Sequence, residues 1–330
     1  MSELSHVVAL PAATNLHFRA ITAADIDQWL ALVERITAAE KPPWHDQRAD
    51  LEQVFAGSKN DPTVNTVIGL DADGVARAYG RVTKNAGGPK AYAFGGVDPL
   101  WQRRGIGSAV LHWQLAQAKR RFAGDGQAPV VVRAHSQEDN AAERALLSRT
   151  GFSPVRYFTE MVRPLAGDIP QVTVDAGIEM LPFTPDRSEE VRAAHNEAFA
   201  DHWGSEPRDE EAWGFMVNHP LARPDFSAIA VDRGTGEVVG YQLASYDPDP
   251  LNTQGRQEGY TELLGIRRAW RGRRIAAALL ADAMERFRLA GLDYATLDVD
   301  TENPTGAFGL YERMGFRPTN RSAAWDCGLR

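Results

Sequence analysis

One loop signature occurs twice in this 330-residue chain, as Gln102-Arg103-Arg104-Gly105-Ile106-Gly107 and, altered, as Arg271-Gly272-Arg273-Arg274-Ile275-Ala276. Each copy follows a short apolar run, Ala91 to Val97 and Thr261 to Ile266, and opens a stretch whose apolar residues recur at helical spacing. Strand, loop and helix start therefore come in that order twice. A helix N-terminus offers unpaired backbone N–H groups and partial positive charge, and small residues let phosphates approach that backbone closely. The pattern predicts a duplicated fold with an anionic ligand as the natural occupant of its loops.

Other markers repeat at nearly the same interval. Phe316 follows Gly315 as Phe152 follows Gly151, an offset of 164 residues; the loops are offset by 169 (residue 271 against 102) and the first strands by 162 (Thr184 against Thr22). Near-equal offsets make the halves colinear copies, with domains at 1–165 and 177–330 joined by a linker, 166–176, that carries Gly167 and Pro170 and neither period. The first copy reads as strand 15–21, helices 24–39 and 49–57, strands 64–70, 75–84 and 90–97, helix 104–122, strand 129–135, helix 139–150 and strand 152–163. The second reads in parallel: strand 177–183, helices 187–201 and 208–218, strands 226–232, 237–246 and 259–267, helix 273–290, strand 294–300, helix 305–314 and strand 316–327. Short polar turns, Asp71 to Gly74 and Arg233 to Gly236, join some strands directly, so the fold class is α/β with a mixed sheet flanked by helices. The second copy also has a long polar loop, Asp247 to Gly259, containing two prolines, and loops of such length are often functional.

Composition narrows the function classes. Apolar residues make up 43% and charged residues 24%, the proportions of a globular protein, and the length suits about two domains. No apolar run approaches the roughly 20 residues of a membrane span, and the N-terminus lacks a basic region followed by a long apolar stretch, so the expected address is cytoplasmic, with no membrane partner. The single cysteine, Cys327, excludes an internal disulfide and a thiolate zinc cluster, and no metal is expected. A net charge of −8 argues against nucleic acid as a partner, because such binding rests on neutralising phosphates. The runs Lys119-Arg120-Arg121 and Arg267-Arg268 read as solvated faces, or as local grips on a small phosphorylated ligand.

Gly105-Ile106-Gly107 after a strand could open a dinucleotide fingerprint, but the third glycine would fall at Val110 and the strand is not the first of its domain. Val97-Asp98-Pro99, the Gln-Arg-Arg run, the two glycines and the helix from Ser108 to Phe122 together resemble the pyrophosphate loop of the GNAT family of acetyl-CoA-dependent N-acetyltransferases. Gln102, Gly105 and Gly107 fit its pattern; in the second copy Arg271 and Ala276 fit, and Arg274 stands where glycine is usual. A second signature, Asn303 ahead of a segment with Leu310-Tyr311 and ending in Gly315-Phe316, matches with one extra residue after the asparagine.

The resemblance spans nearly the whole chain and is to the tandem members of that family, where a degenerate N-terminal copy accompanies a catalytic C-terminal one. It implies two GNAT acyl-CoA N-acyltransferase folds and acetyl-CoA as cofactor, with CoA as product. The implied cofactor-binding residues are Val97, Gln102, Arg103, Arg104, Gly105, Ile106, Gly107 and Ser108 in the first half. In the second they are Leu264, Ile266, Arg271, Gly272, Arg273, Arg274, Ile275, Ala276 and Asn303. The family's tyrosine, here Tyr311, lies near the cofactor sulfur and serves as acid; Leu147 takes its place in the first half.

Acyl transfer to an amine needs a base to take the proton. Glu262 lies on the strand entering the second loop, where family members place this carboxylate, and its first-half counterpart is close to Ala93. It reads either as that base or as a surface carboxylate, with Asp298 and Asp300 on the next strand in reserve. Asp201, His202 and Trp203 fall where the family shapes its acceptor pocket and are the substrate candidates. The expected reaction is direct acetyl transfer to a primary amine of a small molecule. The rivals are a non-catalytic acyl-CoA-binding module and a peptide acetyltransferase. Acidic residues outnumber basic ones in Asp201 to Glu211 and Asp247 to Glu258, which predicts a positively charged acceptor if those acids do more than keep the surface soluble. Two copies can supply each other the surface that single-copy relatives obtain by dimerising, which allows a monomer.

Overall fold

The computed structural model of the chain describes residues 10, 15–85, 87–126, 130–249, 255–302 and 306–329. The first copy runs β1 (His17–Arg19), α1 (Ile26–Glu40), α2 (Arg48–Ala56), α3 (Pro62–Asn65), β2 (Thr66–Leu70), β3 (Ala76–Lys84), β4 (Lys90–Val97), α4 (Ile106–Gly124), β5 (Val131–Gln137), α5 (Ala141–Arg149) and β6 (Ser153–Pro164). The second runs β7 (Ile178–Pro182), α6 (Ser188–Ala198), α7 (Glu210–Val217), β8 (Ala228–Asp232), β9 (Val238–Ser245), β10 (Glu258–Ile266), α8 (Ile275–Leu289), β11 (Tyr294–Asp300), α9 (Ala307–Arg313) and β12 (Arg317–Gly328). Beyond the expected elements there are the short α3 and single 3-10 turns, among them Pro99–Trp101 and Arg268–Trp270 just ahead of the two loops. The polar turns predicted from sequence close the β2–β3 and β8–β9 hairpins, with Gly74 (φ 78°) and Gly236 (φ 77°) in the left-handed region that favours glycine.

Contacts divide the chain into two compact units, Met1–Arg156 with Ser322–Arg330, and Tyr157–Arg321. The first unit's sheet has the order β1-β2-β3-β4-β5-β12 and the second's β7-β8-β9-β10-β11-β6. Both are mixed: β4 runs parallel to β5 and β10 to β11, and the other described pairings are antiparallel. Ser322–Gly328 of β12 pair with β5, and Phe158–Pro164 of β6 pair with β11. The boundaries expected from the sequence repeat are 1–165 and 177–330, whereas the compact units follow this exchange of last strands. Each exchanged strand covers a sheet edge that would otherwise expose unpaired backbone groups.

Both faces of the second unit's sheet are covered, which is why β9 is buried almost throughout. On one face α6 and α7 pack Val191, Ala194 and Trp213 against Ile229, Tyr241 and Leu243. On the other, α8 buries Ile275 and Leu279 against Ala228, Ala230 and Val239, and Leu280, Met284 and Phe287 against the β11–α9 layer. The first unit repeats the plan with Trp29, Leu32 and Leu51 on one face and Ile106 and Val110 on the other.

Residues 166–176, expected to be a tether, carry neither helix nor strand but belong to the second unit's core and site. Ile169 and Val172 pack on the α8–β11 layer, Arg163 Nη2 donates to the Asp168 carbonyl at 2.6 Å, and Gln171 and Val172 line the unit's cavity.

Candidate active site

Two residues in each loop adopt the left-handed backbone: Arg103 (φ 64°) and Gly105 (φ 80°) in the first, Gly272 (φ 80°) and Arg274 (φ 61°) in the second. Arginine and glycine have thus exchanged places between equivalent positions. Left-handed residues in such a loop turn backbone N–H groups toward a common concavity suited to an anion. The conformation is free for glycine and costs another residue about 1–2 kcal/mol. Arg274 therefore takes the backbone angle of the glycine it replaces, with its side chain exposed. In both loops a neighbouring arginine, Arg104 or Arg273, stacks 4.6 Å from the ring of Trp101 or Trp270.

Parallel pairing of β10 with β11 runs only from Glu258–Tyr260 opposite Tyr294–Thr296. Beyond it the two strands part, while β10 keeps its bonds to β9 through Ile266 and β11 keeps its bonds to β6 through Asp300. Among the described residues no strand pairing joins the facing edges beyond that point, so an extended ligand could bond there as a further strand would. A cavity of about 680 Å³ opens in this fork, floored by Thr261–Ile266 and Leu297–Asp300 and bounded by the second loop, α9 and the end of α6. Its size is that of a cofactor site.

Glu262 enters the cavity because β10 bulges there. The register to β9 shifts between Thr261 and Leu263, so Glu262 is the extra residue and turns out of the ladder. Ser245 Oγ donates to its Oε1 at 2.6 Å. Tyr311, on α9, lines the cavity from the opposite wall; its ring lies edge-on to Phe316 with centroids 6.2 Å apart, and burial pushes its hydroxyl up to about 12. No hydrogen bond to that hydroxyl occurs among the described residues.

Two further carboxylates lie on β11. Asp298 accepts from the Tyr260 hydroxyl at 3.0 Å, and its carboxyl is pushed up to about 6, chiefly by desolvation and further by the charges of Glu160 and Glu262. Asp300 is buried, 4.0 Å from His202 Nε2. Thr261, Glu262, Asp298, Asp300, His202 and Tyr311 all line the one cavity.

The first unit lacks this equipment. Its β3–β4 register is unbroken, so there is no bulge; Ala93 stands near the place of Glu262, and buried Leu147 replaces Tyr311. The replacement is register-true, since Phe152 N bonds Leu147 O at 3.0 Å as Phe316 N bonds Tyr311 O at 3.0 Å. The Glu40 carboxylate spans the loop's approach, accepting from Gln102 Nε2 at 2.9 Å and Asn140 Nδ2 at 3.2 Å. Desolvation, and then the charge of Glu40, push Glu143 up to about 8. Leu146 Cδ2 lies 3.0 Å from where a Cβ on Gly107 would stand, a tight approach that a larger residue would relieve only by shifting the leucine.

Of the sequence-named residues, Leu264, Ile266, Arg271, Gly272, Arg274, Ile275, Ala276, Glu262, Tyr311 and His202 meet in the second unit's cavity. Arg273 lies against Trp270 instead, Asp201 is ion-paired with Arg268, and Trp203 packs on Phe158 with centroids 6.3 Å apart. Asn303 lies outside the described residues. In the first unit Ile106 is buried under the loop, Ser108 Oγ is 3.5 Å from His112 Nδ1, and Val97 O accepts from Gln102. Sequence motifs gave no sign of the Tyr260–Asp298 bond, the Ser245 support of Glu262, or Arg208. The bulge did leave a trace: β4 and β10 are offset by 168 residues at Lys90 and Glu258 but by 169 at Val97 and Ile266.

Fold and site define an acyl-CoA-dependent transferase. The sequence profile of the acetyltransferase (GNAT) family matches residues 188–316. Mycothiol acetyltransferase of Clavibacter sepedonicus is 30% identical over 306 residues, 87% of each chain, and that of Thermomonospora curvata is 29% identical over 301, covering 90% of this chain and 91% of the other. A GCN5-related N-acetyltransferase of Sphaerobacter thermophilus superposes with a TM-score of 0.72 at 25% identity over 98% of both chains. A tandem GNAT protein from the clavulanic acid biosynthesis pathway gives 0.68 at 18% identity, covering 96% of this chain and 99% of the other, a likeness of fold. The chain belongs to the GNAT family and is an N-acetyltransferase that uses acetyl-CoA as its acetyl donor.

The open strand fork and the left-handed loop of the second unit fit that cofactor: the loop N–H groups would hold the pyrophosphate, and the β10 edge would hold the chain leading to the thioester. Because Arg274 already has the glycine conformation and its side chain is exposed, Arg274→Gly is expected to change the KM for acetyl-CoA by no more than about fivefold, the equivalent of about 1 kcal/mol for a surface charge. Steady-state titration of acetyl-CoA checks this; a larger rise would assign a phosphate contact to that guanidinium.

Proposed function

We propose that the Tyr157–Arg321 unit acetylates a primary amine of a small molecule by direct attack, and that the first unit does not turn over. The observation that carries this reading is the convergence of the bulged Glu262, Tyr311 and the open β10 edge on one cavity beside the second loop. Bound there, acetyl-CoA supplies an acetyl thioester. Glu262 accepts the proton that the amine loses as its nitrogen bonds the carbonyl carbon. Backbone N–H groups of the Leu264–Ile266 edge steady the charge developing on the carbonyl oxygen. As the carbon–sulfur bond breaks, sulfur leaves with the electron pair, and the Tyr311 hydroxyl donates a hydrogen bond to it and serves as the acid through which it regains a proton. Neither a bulged carboxylate nor a tyrosine is present at the matching places of the first unit.

Release of CoA from acetyl-CoA across a panel of small amines tests the reading; absence of turnover with every amine, in a protein that binds acetyl-CoA, would favour the binding-module alternative. A second reading, acetylation of the mycothiol precursor, is supported by relatives named as mycothiol acetyltransferases that align along most of the chain. That precursor belongs in the same panel.

The glycines of the first loop support acetyl-CoA binding without turnover in the first unit, once Glu40 leaves Gln102. Calorimetry is then expected to find two sites in the wild type and one in Gly105→Glu, which sets a carboxylate where phosphate must approach. An unchanged stoichiometry in the folded variant would remove the first site from this scheme.

A further inference from the structure

Arg208 stands two residues ahead of α7, and its backbone is fixed from three sides. Its N–H donates to Asn196 Oδ1 at 2.9 Å, and its carbonyl accepts from Asn196 Nδ2 and Arg192 Nη1, each at 3.0 Å. The side chain is treated differently. Among the described residues the partner of its partly buried guanidinium is the Met216 thioether, a weak acceptor, and no carboxylate comes within ion-pair distance.

Four arginines around α6 have counterions: Arg192 pairs with Glu189, Arg187 with Glu190, Arg267 with Glu197 and Arg268 with Asp201, and Arg271 is held by the Ile266 and Ala198 carbonyls. Acidic residues flank Arg208 in sequence, but Asp209 spends an oxygen on the Ala212 N–H at the start of α7. Withdrawing a guanidinium from water without a counterion is costly, and such a group is completed well by an anion from outside.

Its contacts locate it. Met216, which the guanidinium touches, packs with Phe199 and Leu263 on the core of the α6–α7 face, and Phe199 and Leu263 also line the cavity that Glu262 enters. Arg208 thus stands beside that wall of the cavity, and the Glu262 carboxylate acts on its charge.

We propose that Arg208 binds a carboxylate carried by the acceptor, so that the enzyme's substrates are amino acids or close amino-carboxylate analogues held between Arg208 and Glu262. This deepens the reading given under Proposed function and rests on it. A planar guanidinium presents paired donors that match a carboxylate. The ammonium end is drawn by Glu262 and Asp298, which line the cavity. One zwitterion thus satisfies both the acidic cavity and the unmatched cation.

The test compares L-amino acids with their amides, which keep the amine and replace the carboxylate, by CoA release in wild type, Arg208→Met and Arg208→Lys. The wild type is expected to favour the acid over its amide in kcat/KM, corrected for the ionised fraction of each amine, by roughly 10- to 100-fold, as for a charged hydrogen bond. The ratio should fall toward one in Arg208→Met and stay intermediate in Arg208→Lys. A wild type that prefers amides, or a ratio unaltered in Arg208→Met, overturns the proposal. Should Arg208→Met fail to fold, thermal shift of the wild type decides: N-acetyl amino acids must raise its melting temperature more than their amides do, and equal shifts overturn it. If no amine is acetylated at all, the function reading fails, and the same thermal shift still reads Arg208 separately.

Discussion

Tyr311→Phe is expected to lower kcat with the best acceptor by about 10²- to 10³-fold, the loss typical of one donor aimed at developing charge, and to leave the KM for acetyl-CoA nearly unchanged. The ring is what the fold uses: it is buried beside Phe316, Met314 and Leu310, and phenylalanine keeps that packing. The hydroxyl has no partner among the described residues, so its removal strands no buried group and should cost little stability. With the hydroxyl pushed up to about 12, the donor keeps its proton throughout the neutral range, and the deficit should be the same at pH 6 and pH 9. Steady-state rates at saturating acetyl-CoA, with a melting curve as control, check all three points. A variant within threefold of wild type would remove Tyr311 from the chemistry.

The first unit shows what the second would be without these groups. It keeps the strand fork, the left-handed loop and the helix behind it, because these depend on backbone angle and apolar spacing. What it has lost depends on single residues. One residue fewer in β4 removes the bulge, and Leu147 fills the tyrosine's place with a side chain that packs and cannot donate.

The same distinction explains how much was legible in the sequence. Helices and strands were legible because alternation and helical spacing are local, and the duplication because Gly-Phe and the loops recur at nearly equal offsets. The exchange of β6 and β12 was not legible: a strand's alternation shows which face it buries, never which sheet edge it joins. Residues 166–176 looked like a tether because they have neither period, yet Ile169 and Val172 are held by packing. Glu262 and Tyr311 were marked by their place in motifs, whereas the Tyr260–Asp298 bond joins residues 38 positions apart, and Arg208 stands out only by what its side chain meets.

Glu262→Gln is expected to reduce kcat/KM at pH 7 by about 10²- to 10⁴-fold, the range for a general base. The amide keeps the shape and can still bond Ser245, so the bulge should remain and the loss should belong to proton acceptance. Activity should recover in part at high pH, where the amine sheds its proton unaided. Asp298 gives the remaining activity a second signature. Its carboxyl is raised to about 6, so it holds a proton below that pH and can accept one only above it. Residual turnover in Glu262→Gln should therefore rise as pH increases through about 6. That rise should disappear in Glu262→Gln/Asp298→Asn, leaving only the climb due to the amine. Since the Glu262 charge itself helps to raise Asp298, loss of that charge in the single variant should move the inflection somewhat below 6. Full activity in Glu262→Gln across the range would transfer the base's role to another group, and a profile without that inflection would exclude Asp298 as its substitute.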